Sequence, residues 1–287
     1  MNNSKKILCV IILLIVIFII YKYIYKFRER KIICCYTNTS YFGLGDYIRG
    51  IVYSLQNKSK KEHVYINYKD HEISKFLENT YGNEYGFVPN DEKIIKTNEN
   101  NYSSNITNYE NFLYNNSMCN YPINQNIREA IKKMFSMKPE FKMIYLNKLS
   151  EINLGEYFSI LHIRVNDDEV NKSVTEISLE KLVKYIDKNL INRNILVLSN
   201  NYDVKKYIAE KYRYKYYDIK PAHTGLVNEI NTTDFKENVK DTLIEFFTIS
   251  NAFKIYQFCT DNDQISGFSK RISEIYDIPI VLIHKEH

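Results

Sequence analysis

Phe158-Ser159-Ile160-Leu161-His162-Ile163-Arg164-Val165, running into Asn166, Asp167 and Asp168, is the stretch that decides the fold. Four large aliphatics fall between Ser159 and Val165 and an acidic turn follows. Such a run reads as a strand buried on both faces, the pattern of a parallel α/β sheet. His162 and Arg164 stand two positions apart and so share a face. Both are costly to bury without partners. At the carboxyl end of a parallel strand they face the crevice where open α/β sheets bind ligands. A structural His–Arg pair in a domain interface is the competing explanation.

Working outward, the second half alternates. Helices are expected over Ser178–Asn189, Asp203–Tyr212, Asn238–Asn251 and Gln264–Tyr276, with strands over Asn194–Ser199, Tyr214–Ile219, Phe253–Cys259 and Ile280–Ile283. Strand–helix alternation at this spacing means a parallel sheet. In the first half, Lys31–Tyr36 reads as a strand, followed by the glycine turn Ser40-Tyr41-Phe42-Gly43-Leu44-Gly45-Asp46 and a helix through Leu55, with Asp46 as its N-cap. A second strand is expected over Val64–Asn67 and a helix over Glu72–Asn79. Residues 90–126 are polar and Asn-rich and read as an irregular insertion. Two helices, Ile127–Met137 and Phe141–Ser150, bridge the halves.

The chain has 287 residues, enough for two domains, and a net charge of +5 concentrated near the amino terminus. No basic stripe marks a folded face, which argues against a nucleic-acid partner. Ile7–Tyr25 is apolar apart from Lys22, about the ~20 residues a bilayer span needs, with Tyr21, Tyr23 and Tyr25 at its end. No small-residue cleavage site follows, so a single-pass anchor is expected rather than a signal peptide. Charge flanking the span favours a cytosolic carboxyl-terminal domain. Cys9, Cys34, Cys35, Cys119 and Cys259 form no C-x-x-C and read as buried thiols, with a bridge from Cys119 to Cys34 or Cys35 left open. Sequons at Asn101, Asn105 and Asn231 are expected by chance in so Asn-rich a chain.

Three groups bear on chemistry. The turn Gly43–Gly50 lets backbone amides approach a ligand at a helix amino terminus, but it is neither a P-loop nor a full G-x-G-x-x-G. His162 and Arg164 suit a nucleotide-sugar donor: an arginine clamps the diphosphate that gains charge as the glycosidic bond breaks, and a histidine on the same face can bond base or ribose. Such a clamp catalyses in so far as it favours the developing charge over the ground state. Asp261-Asn262-Asp263 follows a strand and could hold a divalent cation on a diphosphate, although a solvated turn explains it as well.

Together these pieces resemble the fucosyltransferase superfamily that includes the α1,6-, nodulation-type and protein O-fucosyltransferases. Phe42–Gly50 resembles the family's early Gly-x-Gly-Asn/Asp loop, and His162-Ile163-Arg164-Val165-Asn166-Asp167 is similar to His-x-Arg-Arg-x-Asp. Glu245–Phe253 through Ser266-Gly267-Phe268-Ser269 resembles the late block of acidic helix, strand and serine-rich helix start. The resemblance implies a GT-B-like α/β fold, two Rossmann-like domains facing a cleft, using GDP-fucose without a metal. It divides the chain into an anchor and stem (1–30), an N-terminal α/β domain (31–150) and a nucleotide-sugar-binding domain (151–287). It implies that Arg164 binds the β-phosphate and assists its departure. His162 and Glu245 contact guanine or ribose, Ser266, Phe268 and Ser269 line the phosphate and base pocket, and Gly43, Gly45 and Asp46 close on the donor. The acceptor is a glycan or protein hydroxyl, and Asp46 or Asp167/Asp168 are candidates for its base; the resemblance implies an ER- or Golgi-type lumen for the folded part, against the cytosol that the flanking charge favours. Two departures stand out: Val165 replaces a second arginine, and Asn200-Asn201 replaces an Asp-Asp pair. They leave two other readings open, a degenerate fucosyltransferase-like binding or structural membrane protein, and a metal-dependent transferase using Asp261 and Asp263.

Overall fold

The computed structural model describes residues 11–21, 30–36, 43–57, 62–68, 71–78, 95–96, 111–113, 123–191, 193–219, 233–261 and 265–283. Two parallel sheets organise them. The first contains β1 (Arg30–Cys35), β2 (Glu62–Asn67), β3 (Ile95–Lys96) and β4 (Asn111–Leu113) in the order β2-β1-β4-β3. The second contains β5 (Ser159–Arg164), β6 (Ile195–Ser199), β7 (Lys215–Tyr216), β8 (Lys254–Cys259) and β9 (Ile280–Leu282) in the order β7-β6-β5-β8-β9. Every described pairing in both sheets is parallel.

Helices are α1 (11–21), α2 (Leu44–Asn57), α3 (Gln125–Met134), α4 (Pro139–Glu151), α5 (Glu180–Asn189), α6 (Tyr202–Tyr212), α7 (Thr233–Ser250) and α8 (Gly267–Tyr276). Alternation along β5 sorts the layers. Leu161, Ile163 and Val165 pack with Leu182 and Ile186 of α5 and Val204 and Ile208 of α6. Ile160 looks the other way, into a core shared with α7, α8, α2 and α3. Full burial of each such aliphatic contributes about 1.5–3 kcal/mol. α8 closes the structure, touching α7 from its own half and α2 and α3 from the first. One continuous core therefore runs between the two sheets.

Several expectations change. Asp46 is not the N-cap of α2: the helix begins at Leu44, with the Gly43 carbonyl accepting from the amides of Asp46 and Tyr47, so Asp46 sits inside the first turn. A carboxylate there still complements the amino-terminal end of the helix dipole. Glu72–Asn79 shortens to a 3-10 turn over Glu72–Lys75, capped by His71 Nδ1 accepting from the Ile73 amide at 3.1 Å. The expected insertion contributes two short strands, β4 paired with β1 and β3 paired with β4, pairings that no local periodicity announces; most of 90–126 lies outside the described residues. α7 begins at Thr233, before the expected Asn238.

Among the described residues no helix is long and apolar enough to cross a membrane. α1 presents Ile11 to Tyr21 all exposed, and residues 7–10 and 22–25 of the expected span lie outside the described residues.

Candidate active site

Strand order places the site. In β7-β6-β5-β8-β9 the chain moves from β5 toward β6 on one side and later returns to β8 on the other, so the sheet's switch point lies between β5 and β8. Ligands of open α/β sheets bind beyond the carboxyl ends of the strands at such a point. Parallel register pairs His162 with Gln257 and Arg164 with Cys259, bringing four functional side chains to the α8 face.

Below the strand ends the polar groups satisfy one another. His162 is 7% exposed, and its Nδ1 lies 2.8 Å from the Ser269 hydroxyl in α8. Ser269 donates to Gln257 Oε1 at 3.2 Å, and the Gln257 amide reaches the Cys259 thiol at 3.4 Å. With the serine proton directed at Gln257, His162 donates through Nδ1–H, and its Nε2 is left as an acceptor. Burial, helped by the nearby Arg164 charge, pushes His162 down to about 3. The ring is a neutral hydrogen-bonding group, suited to an N–H or O–H of a nucleoside. Phe268 meets it edge-on, with centroids 6.3 Å apart.

At the strand end the groups are charged. Arg164 is ion-paired with Asp167, which is itself largely exposed. Its carbonyl accepts from the Thr260 amide at 3.0 Å, and the Thr260 hydroxyl accepts from the Asn166 amide at 3.0 Å, tying the ends of β5 and β8 together. Both departures from the family motif acquire a structural account here. Val165 is fully buried on the face opposite Arg164, in the α5–α6 layer, so an aliphatic fits where a second guanidinium would need burial. Asn200 grips the backbone of Val165 at both ends, accepting its N–H at 2.7 Å and donating to its carbonyl at 2.7 Å. An ionised aspartate could accept but not donate. Asn201 caps α6 by accepting from the Val204 amide at 2.9 Å and donates to the carbonyls of Val170 and Lys172.

The glycine turn arrives from the first half. A Cβ on Gly45 would lie 3.0 Å from the Phe268 backbone, so α2 meets the first turn of α8 almost backbone to backbone. Gly45 thus serves contact between the halves. On α8, a Cβ on Gly267 would lie 2.5 Å from Nη2 of Arg49, whose guanidinium also pairs with Asp46 at 3.3 Å. Ser266 stands at the N-cap of α8 without a side-chain cap bond, and its backbone bonds the Cys259 thiol.

Glu245 on α7 is half-buried, and desolvation raises it to about 7, with Asp241 adding and Lys205 opposing. Lys205 is fully buried in the first turn of α6 and donates to the Ile219 carbonyl. Burial lowers its pKa, and Glu245, Asp218 and Asp241 work against that shift.

The structure thus brings together Arg164, His162, Ser266, Phe268, Ser269, Gly43, Gly45 and Asp46, with Glu245 nearer Lys205 on the β6 side. Asp261 follows β8, and Asp263 lies outside the described residues. Among the described residues no group of three or more His, Cys, Asp or Glu side chains could hold a metal ion. Sequence reasoning assigned no role to Arg49, Gly267, Gln257 or Lys205. The first two are legible only once α2 and α8 are known to touch. Gln257 gave a signal, since it is a polar residue inside an apolar strand.

By sequence, neither a protein-family profile nor a curated relative matches the chain. By structure, the chain is similar to NodZ α-1,6-fucosyltransferase soaked with GDP-fucose, with a TM-score of 0.56, 11% identity, and 88% of this chain and 94% of that one covered. NodZ co-crystallized with GDP matches with a TM-score of 0.52 at 10% identity, covering 85% and 92%. Fucosyltransferase NodZ from Bradyrhizobium matches with a TM-score of 0.54 at 9% identity, covering 85% and 92%. The chain shares the α/β, parallel-sheeted fold of these solved structures.

Proposed function

We propose that this chain is a glycosyltransferase that moves fucose or a related sugar from a GDP-sugar to a glycan or protein hydroxyl. The observation that carries the reading is the meeting of Arg164 and the His162–Ser269 pair with the first turn of α8, at the switch point of a sheet in a fucosyltransferase fold. Arg164 exchanges Asp167 for the β-phosphate and binds it more tightly as the C1–O bond breaks and charge moves onto the diphosphate. His162 accepts from base or ribose through Nε2, with Phe268 as the apolar wall. Glu245, as carboxylate, accepts from guanine or ribose. The acceptor oxygen forms its bond to C1 from the face opposite the departing phosphate, which inverts that carbon, and its proton passes to a carboxylate. Asp46 is the candidate for that base.

In this reading the reaction proceeds without a resident metal, because Arg164 and the α8 amides supply positive charge to the diphosphate. Residues 31–150 present the acceptor and 151–287 hold the donor. Residues 7–25 anchor the protein in a membrane; the wholly apolar, wholly exposed surface of α1 supports this, since such a helix finds its solvent in lipid. The sequence leaves the side of the membrane open.

Titrating the full chain in detergent with GDP, GDP-fucose and UDP-sugars tests the donor assignment. GDP and GDP-fucose bind and UDP-sugars do not; failure of GDP to bind at millimolar concentration overturns it. Binding without transfer to any acceptor selects the degenerate, binding-only reading, which the loss of the second arginine and the Asp-Asp pair motivates.

A further inference from the structure

We infer that Arg49 is a second cationic clamp for the donor's diphosphate, supplied by the first half of the molecule. The inference rests on the donor-site reading above.

Position is the first argument. α2 is pressed against α8 at Gly45, whose Cβ position is 3.0 Å from the Phe268 backbone. Arg49 lies one turn further along α2 and lays its guanidinium on Gly267, the first residue of α8. Any side chain at 267 would displace it. Arg164 approaches the same turn from the other half: its strand partner is Cys259, and that thiol is bonded by the Ser266 backbone. Arg49 thus lies on this helix start, and Arg164 stands on the strand position beside the thiol that the same helix start bonds.

Electrostatics is the second. The first turn of a helix carries unsatisfied amides and partial positive charge, where cations are disfavoured and anions favoured. α8 has no acidic residue in that turn. Placing two arginines beside it makes sense for a ligand bearing more than one negative charge. Each arginine is meanwhile held by a carboxylate three residues away on its own segment, Arg49 by Asp46 and Arg164 by Asp167. Partly exposed pairs of this kind are weak and readily exchanged. A diphosphate can take both guanidiniums at once, each through parallel N–H···O bonds.

Chain geometry is the third. Residue 165 points into the α5–α6 core, so β5 can offer only one arginine on the site face. A second clamp has to come from another element, and α2 is the element in contact.

The test is calorimetric titration of GDP into the full-length protein in detergent, comparing wild type with Arg49→Met and Arg164→Ala. Methionine keeps the packed aliphatic stem over Gly267 and removes the charge, so the fold is retained where alanine leaves a gap; a thermal melt confirms it. Arg49→Met is expected to weaken GDP binding on the order of 10- to 100-fold, the worth of one or two charge-assisted hydrogen bonds. If Arg49→Met binds GDP like wild type while Arg164→Ala does not, the inference fails and the donor reading stands. If wild type itself does not bind GDP, the donor reading falls and the clamp falls with it.

Discussion

The floor of the site and its rim, a few residues apart on the same elements, are built on opposite principles. On the floor, His162, Ser269 and Gln257 are buried and uncharged, and each is bonded to the next. At the rim, Arg49 and Arg164 keep their charge, remain partly exposed, and are held by carboxylates that a ligand can replace. The difference is a division of labour. Burial fixes geometry, because an unpartnered polar group in the interior costs about 1–3 kcal/mol and so admits one arrangement. Partial exposure keeps exchange cheap, because an ion pair there is worth at most about 1 kcal/mol. A site that grips and releases a diphosphate needs the second property resting on the first.

Three measurements would break or sharpen that contrast. The largest effect is expected at the rim: Arg164→Ala should lower transfer from GDP-fucose about 100- to 1,000-fold, the scale of removing one preorganised charge-stabilising donor. It should scarcely move the melting temperature, since the lost partner, Asp167, is exposed. A large stability loss would return Arg164 to the role of structural pair. On the floor the pattern should invert. Ser269→Ala leaves His162 and Gln257 without their shared partner and should cost about 1–3 kcal/mol of stability in urea unfolding. Unchanged stability would show the row to be dispensable.

The smallest effect is expected beside the site, at Glu245 near Lys205. Its carboxyl rises from 4.5 to about 7 in the fold, so the folded state holds the proton more tightly than the unfolded one. The associated stability is fully present below 4.5 and is lost as pH climbs through about 7. His162 has the opposite sense: held neutral down to about 3 against 6.5, it contributes stability above 6.5 that is lost as pH falls toward 3. Glu245→Gln should therefore flatten the decline in stability between pH 4.5 and 7 and leave the acid limb intact. An unchanged slope would remove Glu245 from the buried electrostatics of the site.

Much of the second half was legible because its elements are local and periodic. β5 and β6 are rich in buried aliphatics, β8 is a buried run of mixed aromatic and aliphatic residues, and α5, α6 and α8 carry apolar residues at helical spacing, so existence and order followed from pattern and only the ends moved by a few residues. The first half was less legible for a physical reason. β3 and β4 are two and three residues long; β4 is held by β1, more than seventy residues earlier in the chain, and β3 by β4. The turn at Glu72–Lys75 is set by a histidine cap and by packing against α7 rather than by propensity.

The site divides along the same line. The sequence by itself determined that His162 and Arg164 share a strand face, because side-chain alternation is a property of the strand alone. It also determined that a glycine turn opens a helix in the first half. Only the tertiary structure decided what those residues meet. Ser269 and Gln257 close the histidine's hydrogen bonds from elements about a hundred residues away, and Gly45 and Arg49 land on α8 across the two halves. Whether an arginine is a solvated surface charge or a hand at a helix start depends on which backbone is pressed against it, and that is fixed by packing over the whole chain.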